Sequence, residues 1–241
     1  MPSSQANAPL LALGAHPDDI EFGCGGIVAI EARAGRPVHF ILCSRGEAAS
    51  QGSPQERISE AREAASLLGA SIEVIELDGD GKFQATAAHA LTLAAALRRL
   101  RPSTVLAPTP VPNQHPDHTR LGHLVRDAAR LARYGGLAEL KGLAAHAIDQ
   151  LLFYAVTAEG EPAGVTPLLV DISHPEIFGA WTGAMHAHAS QARSKPYLDL
   201  QVARSRVWGL RAGVAHAQAL YSEDPLVGTS LASFGRGARA F

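Results

Sequence analysis

The chain has 241 residues, 46% of them hydrophobic and 18% charged, which is enough for one sizeable core and excludes a disordered or fibrous protein. Its formal net charge of −2 excludes an electrostatic nucleic-acid binder, which needs a basic face. Only two cysteines are present, Cys24 and Cys43, so no disulfide scaffold is implied and a reducing compartment fits.

The N-terminal MPSSQANAP lacks the basic stretch and apolar run of a secretory signal, and residues 1–8 are expected to form a flexible lead-in. No apolar run is long enough to span a bilayer. The expected location is therefore the cytoplasm, with neither membrane nor nucleic acid as a partner.

Short apolar runs then alternate with longer amphipathic segments, as in parallel α/β folds. Residues 9–16 (PLLALGAH) predict a buried first strand ending at His16. A helix follows over 25–34 and stops at Gly35, and residues 37–44 (PVHFILCS) predict the second strand. Ser53 and Pro54 open a helix that runs to Leu68, before Gly69. The third strand is expected over 71–77 and the next helix over 85–100. The basic cluster of Arg98, Arg99 and Arg101 suits that helix's own dipole. Residues 103–110 predict the fourth strand, and a helix after the loop VPNQHPDH runs to about Tyr134. Strands over 150–156 and 167–173 and helices near 176–191 and 200–220 complete the chain. With no repeat and no linker, residues 1–241 are expected to form a single domain.

The first half thus reads β-α-β-α-β-α-β. Right-handed crossovers make this a doubly wound α/β fold, a mainly parallel sheet flanked by helices with strand order 3-2-1-4. Ligands of such sheets bind where the order reverses, at the carboxyl ends of strands 1 and 4. Both chemical motifs follow those two strands: HPDD (His16–Asp19) the first, HPDH (His115–His118) the fourth.

The spacing lets His16 and Asp19 fold onto one ion, with His118 as a third ligand. Two imidazoles and a carboxylate leave a position open for water, as in catalytic zinc sites. The mixed donor set also admits iron, cobalt or nickel. Asp18, beside the ion without ligating it, suits a general base, and His115 suits oxyanion stabilisation or protonation of the departing amine. Asp117 is expected either to fix the tautomer of a nearby imidazole or to be a solvated loop residue. His39, His89, His123, His146, His174 and His186 lack comparable partners. Cys24, within the run GCGG, is expected to be a small buried residue rather than a thiolate ligand.

These residues resemble a known family. AHPDDIEFGCGG (residues 15–26), SRGEAAS (44–50), the Arg57, Glu60 and Glu63 helix ending in LLGA, and HPDH are similar to the LmbE-like, or PIG-L, deacetylases. The similarity continues weakly through HASQ (188–191) and the Arg206, Gly209 and Gly213 helix. The resemblance implies a Rossmann-like zinc hydrolase that removes acetyl groups from N-acetylglucosaminyl conjugates. It implies His16, Asp19 and His118 as zinc ligands, Asp18 as base and His115 as the group that stabilises the transition state. Arg57 would bind substrate hydroxyls or, failing that, pair with Glu60, and Glu47 would line the same pocket.

The segment TRLGHLVRDAARLARYGGL (119–137) is most similar to the bacillithiol-pathway branch, which acts on a glucosaminyl malate. LDGDGKF (77–83) departs from the family's segment after strand 3, which leaves Asp78 or Asp80 to reach the sugar. His216, Ala217 and Gln218 replace a usual Tyr-Ala-Glu, and neither His188 nor His216 has an assigned role. Family members commonly form trimers or hexamers, so a homo-oligomer is expected. Competing readings are an amidase acting on a thiol conjugate or another acylated amine, and a sugar- or metal-binding protein without turnover. A nucleotide-binding Rossmann protein is disfavoured, because no G-x-G-x-x-G follows the first strand.

Overall fold

A computed structural model describes residues 8–112, 114–192 and 196–238. The expected lead-in, 1–8, lies outside these residues except for Ala8.

The strands are β1 (Leu10–Gly14), β2 (Val38–Leu42), β3 (Ser71–Val74), β4 (Thr104–Pro108), β5 (Gln150–Tyr154), β6 (Leu168–Asp171) and β7 (Ala217–Tyr221). They form one seven-stranded sheet in the order β3-β2-β1-β4-β5-β7-β6. The five from β3 to β5 are parallel, and β7 runs antiparallel to both β5 and β6. The expected order 3-2-1-4 is present, extended on the β4 side. β1 lies between β2 and β4, with Leu10 opposite Val38 on one side and Thr104 on the other.

Both faces of β1 are buried, as a central parallel strand requires. Leu11 and Leu13 face a core shared with α3 (Ala87–Leu100) and α4 (Pro116–Arg133). Leu10 and Ala12 face the other side, against α1 (Asp19–Arg33), α2 (Pro54–Leu67) and α5 (Pro175–Ala187). A short helix, α6 (Ala189–Ala192), and α7 (Tyr197–Ala212) follow α5.

Local chemistry sets the helix ends. Ser53 caps α2 in a full capping box with Glu56, and Pro54 occupies its first turn. Gly213, at φ 71°, ends α7 in the left-handed conformation.

Several expectations need correction. α1 starts at Asp19, well before residue 25, so the HPDD motif itself enters the helix, with a kink at Cys24. The single helix expected near 176–191 is divided between α5 and α6. The helix expected to 220 stops at Ala212, and residues 217–221 form β7, in which each residue is buried. Arg98 does not serve its own helix: its guanidinium donates to the carbonyls of Ala132 (2.9 Å), Leu140 (3.1 Å) and Leu143 (2.8 Å). It also reaches Leu131 and Tyr134, capping the end of α4 instead.

One glycine sets how closely α4 approaches the sheet. A Cβ on Gly122 would lie 2.5 Å from the Pro108 carbonyl oxygen and 2.9 Å from Pro110 N, both backbone atoms that cannot swing aside. Gly122 is one turn beyond His118 on the same helix face. Gly122→Ala is therefore expected to destabilise the fold by about 1–3 kcal/mol, the usual cost of overpacking. It should also weaken metal binding by pushing His118 off the end of β4. Thermal unfolding and zinc titration of the variant check both effects.

Candidate metal centre

The carboxyl ends of β1 and β4 bring the two motifs together. The turn after β1 closes on Asp19, whose Oδ2 accepts hydrogen bonds from Ala15 N at 2.8 Å and His16 N at 2.9 Å. The first turn of α4 brings in His118, whose Nε2 lies 2.9 Å from Asp19 Oδ1. His16 Nδ1 stands 3.3 Å from His118 Nε2 and 3.6 Å from Asp19 Oδ2.

These separations test the fit of a metal. A tetrahedral zinc with bonds of about 2.0–2.1 Å holds its ligand atoms roughly 3.3–3.4 Å apart. The observed 3.3 Å between the imidazoles lies on that edge, and the 2.9 and 3.6 Å separations, which reach different oxygens of the Asp19 carboxylate, lie near it. Two imidazole nitrogens facing each other beside a carboxylate form a donor set that a cation completes. The residues present fit zinc. His16, His115 and His118 also place ring nitrogens within 4.8 Å of one another.

Burial opposes ionisation of Asp19, but the adjacent His118 and His16 outweigh it and hold its carboxyl well below the usual carboxylate range. Asp18 behaves in the opposite way. Burial pushes its carboxyl up to about 6, with the Arg57 guanidinium pulling against the rise. Asp18 has φ 110°, a conformation that non-glycine residues rarely adopt. It stands at the N-cap of α1 but makes no side-chain cap. Arg57 holds it there, with Nη2 donating to Pro17 O at 2.7 Å and Asp18 Oδ2 at 3.2 Å, and Nη1 donating to Gly46 O at 3.0 Å. Strain of this kind concentrates at functional sites. Here it keeps a carboxylate beside the donor triangle and off the helix end.

His115 sits at the rim, its ring centroid 4.8 Å from that of His16. Burial, then the neighbouring His16 and His118, lower its pKa, so the ring is neutral at neutral pH. Its Nδ1 accepts from Asp117 N at 3.2 Å, which leaves the proton on Nε2 as a free donor.

A cavity of about 390 Å³ opens over these groups, lined by His16, Asp18, Asp19, Arg57, His115 and His118. Phe22, Val156 and Tyr197 supply apolar wall, and Gln191 and Gln201 supply amides.

The other expected residues divide. Arg57 lines the cavity, but it is only 4% exposed and both Nη atoms are already hydrogen-bonded. It does not pair with Glu60, which instead accepts from Ser190 N and Oγ. Glu47 is outside the cavity lining; its carboxylate braces a loop by accepting from Arg45 N and Asp80 N. Asp117 is fully buried with Oδ2 3.4 Å from His16 Nε2. Asp78 pairs with His89 away from the cavity, and His216 packs on Phe178 and Ser205. His188 is buried behind α1, 3.5 Å from Glu21.

Sequence reasoning offered Asp80 only as a sugar contact and missed its place beside the metal motifs: it lines the cavity and lies 3.0 Å from His16 Nε2. The one signal for it was an acid in a glycine-rich turn. Tyr197 and Gln201 also went unnoticed, because α7 is remote in sequence from both motifs.

Residues 11–129 match the family model described as GlcNAc-PI de-N-acetylase, PIG-L. The crystal structure of a conserved protein from Thermus thermophilus is 33% identical, covers 92% of this chain and 97% of its own, and superimposes with a TM-score of 0.81. The 4-oxalmesaconate hydratase of Pseudomonas putida is 32% identical over 138 residues, 52% of this chain and 53% of that protein. The diacetylchitobiose deacetylase of Thermococcus kodakarensis is 29% identical over 158 residues, 60% of this chain and 59% of that protein. The chain thus spans little more than half the length of these two curated relatives. Among the described residues, no helix is long and apolar enough to cross a membrane.

Proposed function

Because the chain belongs to the PIG-L family, we propose that it is a zinc-dependent hydrolase that removes the N-acetyl group from a small N-acetylglucosaminyl conjugate such as N-acetylglucosaminyl malate. The observation that carries this reading is the donor triangle of His16, Asp19 and His118, with Asp18 held beside it over an open cavity.

His16, Asp19 and His118 would hold the zinc; iron, cobalt or nickel suit the same donors. A zinc ion in that position supplies Lewis acidity that polarises an amide carbonyl and acidifies water. The rest falls to the chain's own side chains. Asp18, next to the ligands and mostly ionised at neutral pH, takes the proton from the attacking water. Arg57 keeps Asp18 aimed at that water through its bonds to Pro17 O and Asp18 Oδ2. The Nε2 proton of His115 is free to stabilise the developing oxyanion, and the proton that Asp18 takes up can return to the departing amine. Phe22, Val156 and Tyr197 shield one side of the reacting group from bulk water. The protein is further proposed to act in the cytoplasm as a homo-oligomer, trimer or hexamer, which light scattering after gel filtration would measure.

A second reading is supported by the similarity to the Pseudomonas putida hydratase. Adding water to a carbon–carbon double bond also needs a base next to activated water, and Asp18 could serve. An amidase acting on a thiol conjugate would use the same groups with a larger acyl pocket. One panel separates them. Zinc-loaded protein is offered N-acetylglucosaminyl malate, other N-acetylglucosaminides, bulkier N-acyl amines and 4-oxalmesaconate. Release of acetate from a glucosaminide is the expected result. Turnover of 4-oxalmesaconate alone, seen as loss of its conjugated ultraviolet absorbance, would replace the deacetylase reading with the hydratase one.

A further inference from the structure

A second cavity, of about 570 Å³, opens between the loop after β5 (residues 158–167), α7 and the end of β7. Glu161, Pro162, Val165, Trp208, Arg211 and Tyr221 are among its walls, and no described residue lines both this cavity and the one over the metal centre. Its volume suits a small organic molecule.

Two polar groups stand open to it. Tyr221 is only 4% exposed, and its hydroxyl is buried without a hydrogen bond. Such a group costs free energy that a bound acceptor would recover. Burial, then Glu161, push this phenol up, so it keeps its proton as a donor; the Arg204 and Arg211 charges pull the other way, as neighbouring guanidiniums do. Arg211 is the second open group. Among the described residues its side chain forms no ion pair, and its guanidinium lies 4.3 Å from the centre of the Trp208 ring. Stacking on an indole fixes the plane of the guanidinium while leaving its N–H fork open.

Charge decides what that fork would take. Glu161 is already engaged, its Oε1 accepting from Arg204 Nη2 at 3.0 Å and from Trp208 Nε1 at 3.3 Å. Glu161 and Arg204 thus balance, and Arg211 leaves the cavity one uncompensated positive charge. An arginine fork matches a carboxylate through two parallel hydrogen bonds. A doubly charged phosphate would meet a single free cation beside the standing charge of Glu161, so a monoanion fits better. Pro162 and Val165 add apolar wall, which suits a hydrocarbon body behind the carboxylate.

We propose that this cavity is a second binding site, which takes a small organic monocarboxylate with an apolar body, held by Arg211 with the Tyr221 hydroxyl as a further donor. None of these groups belongs to the metal centre, so the site stands whether or not zinc binds at His16, Asp19 and His118.

The test titrates phenylacetate into the protein and follows the indole N–H signals in ¹H–¹⁵N spectra. The chain has two tryptophans: Trp208 reports the site, and Trp181, on the other face of the sheet, serves as control. Trp208 should shift saturably and Trp181 should not. Arg211→Met, which keeps apolar cover on Trp208, should weaken binding about 10–100-fold, the usual worth of a hydrogen bond to a charged group. Tyr221→Phe should weaken binding by less. It should melt no lower than wild type, because the hydroxyl bonds nothing in the free protein. Neutral phenylacetamide should bind far more weakly than phenylacetate. No saturable shift at Trp208, equal affinity for acid and amide, or wild-type affinity in Arg211→Met would overturn the proposal. Tighter binding of inorganic phosphate than of phenylacetate would overturn its carboxylate class.

Discussion

Asp18→Asn is expected to lower kcat for acetate release by about 10²–10⁴-fold, the range that general acid–base catalysis usually supplies. Zinc binding should persist, because Asp18 contributes no atom to the donor triangle. KM should change little. The variant should also fold well, for two reasons. Asparagine tolerates positive φ better than most residues, and Asp18 holds φ 110°. In addition, burial raises the Asp18 pKa from 3.8 to about 6. The folded state therefore holds that proton more tightly than the unfolded chain. The stability this group lends is present below about 3.8 and is lost as pH rises through about 6, so at neutral pH its charge opposes folding. The metal-free variant should melt no lower than metal-free wild type at pH 7. Undiminished turnover in Asp18→Asn would show that another group takes the proton.

Asp19→Ala is expected to have the largest effect on metal. The Asp19 carboxylate does two jobs: Oδ1 meets His118 Nε2, and Oδ2 accepts from the backbone of Ala15 and His16. Its removal deletes a ligand atom and loosens the turn that aims His16. The loss in zinc affinity should exceed the roughly 10–100-fold typical of an outer-shell change, and activity should fall to background. Asp19→Asn separates the two jobs. Its amide can keep an oxygen toward Ala15 and His16 N but brings no charge to the ion, so the turn should survive while zinc is lost. Circular dichroism together with metal content after dialysis distinguishes the two variants. An Asp19→Asn protein that retains full zinc would take Asp19 out of the ligand set.

Much of the site follows from local patterns. The apolar runs of β1 and β4 identify buried parallel strands, and crossover handedness then places their ends side by side. That logic brings His16 and His118, 102 positions apart, to 3.3 Å. The start of α1 was obscured because Gly23, Gly25 and Gly26 are poor helix formers. Tertiary packing accounts for them: added Cβ atoms would lie 2.1 Å from the Tyr154 ring, 2.9 Å from Trp181 and 2.9 Å from Ile172. β7 was obscured because AQALY has no β-branched residue and follows a helix rich in helix formers. Its strand state comes from pairing with β5 and β6, which local propensity does not register. Asp80 and Arg98 are of the same kind. Each lies against a partner brought near by the fold, His16 in one case and the end of α4 in the other.

The most direct test of the account is acetate release from an N-acetylglucosaminide as zinc is titrated back into chelator-stripped protein. Activity should be absent in the stripped protein, rise in proportion to bound zinc and level off at one ion per chain. Acetate release that is undiminished in fully stripped protein would contradict a metal centre at His16, Asp19 and His118.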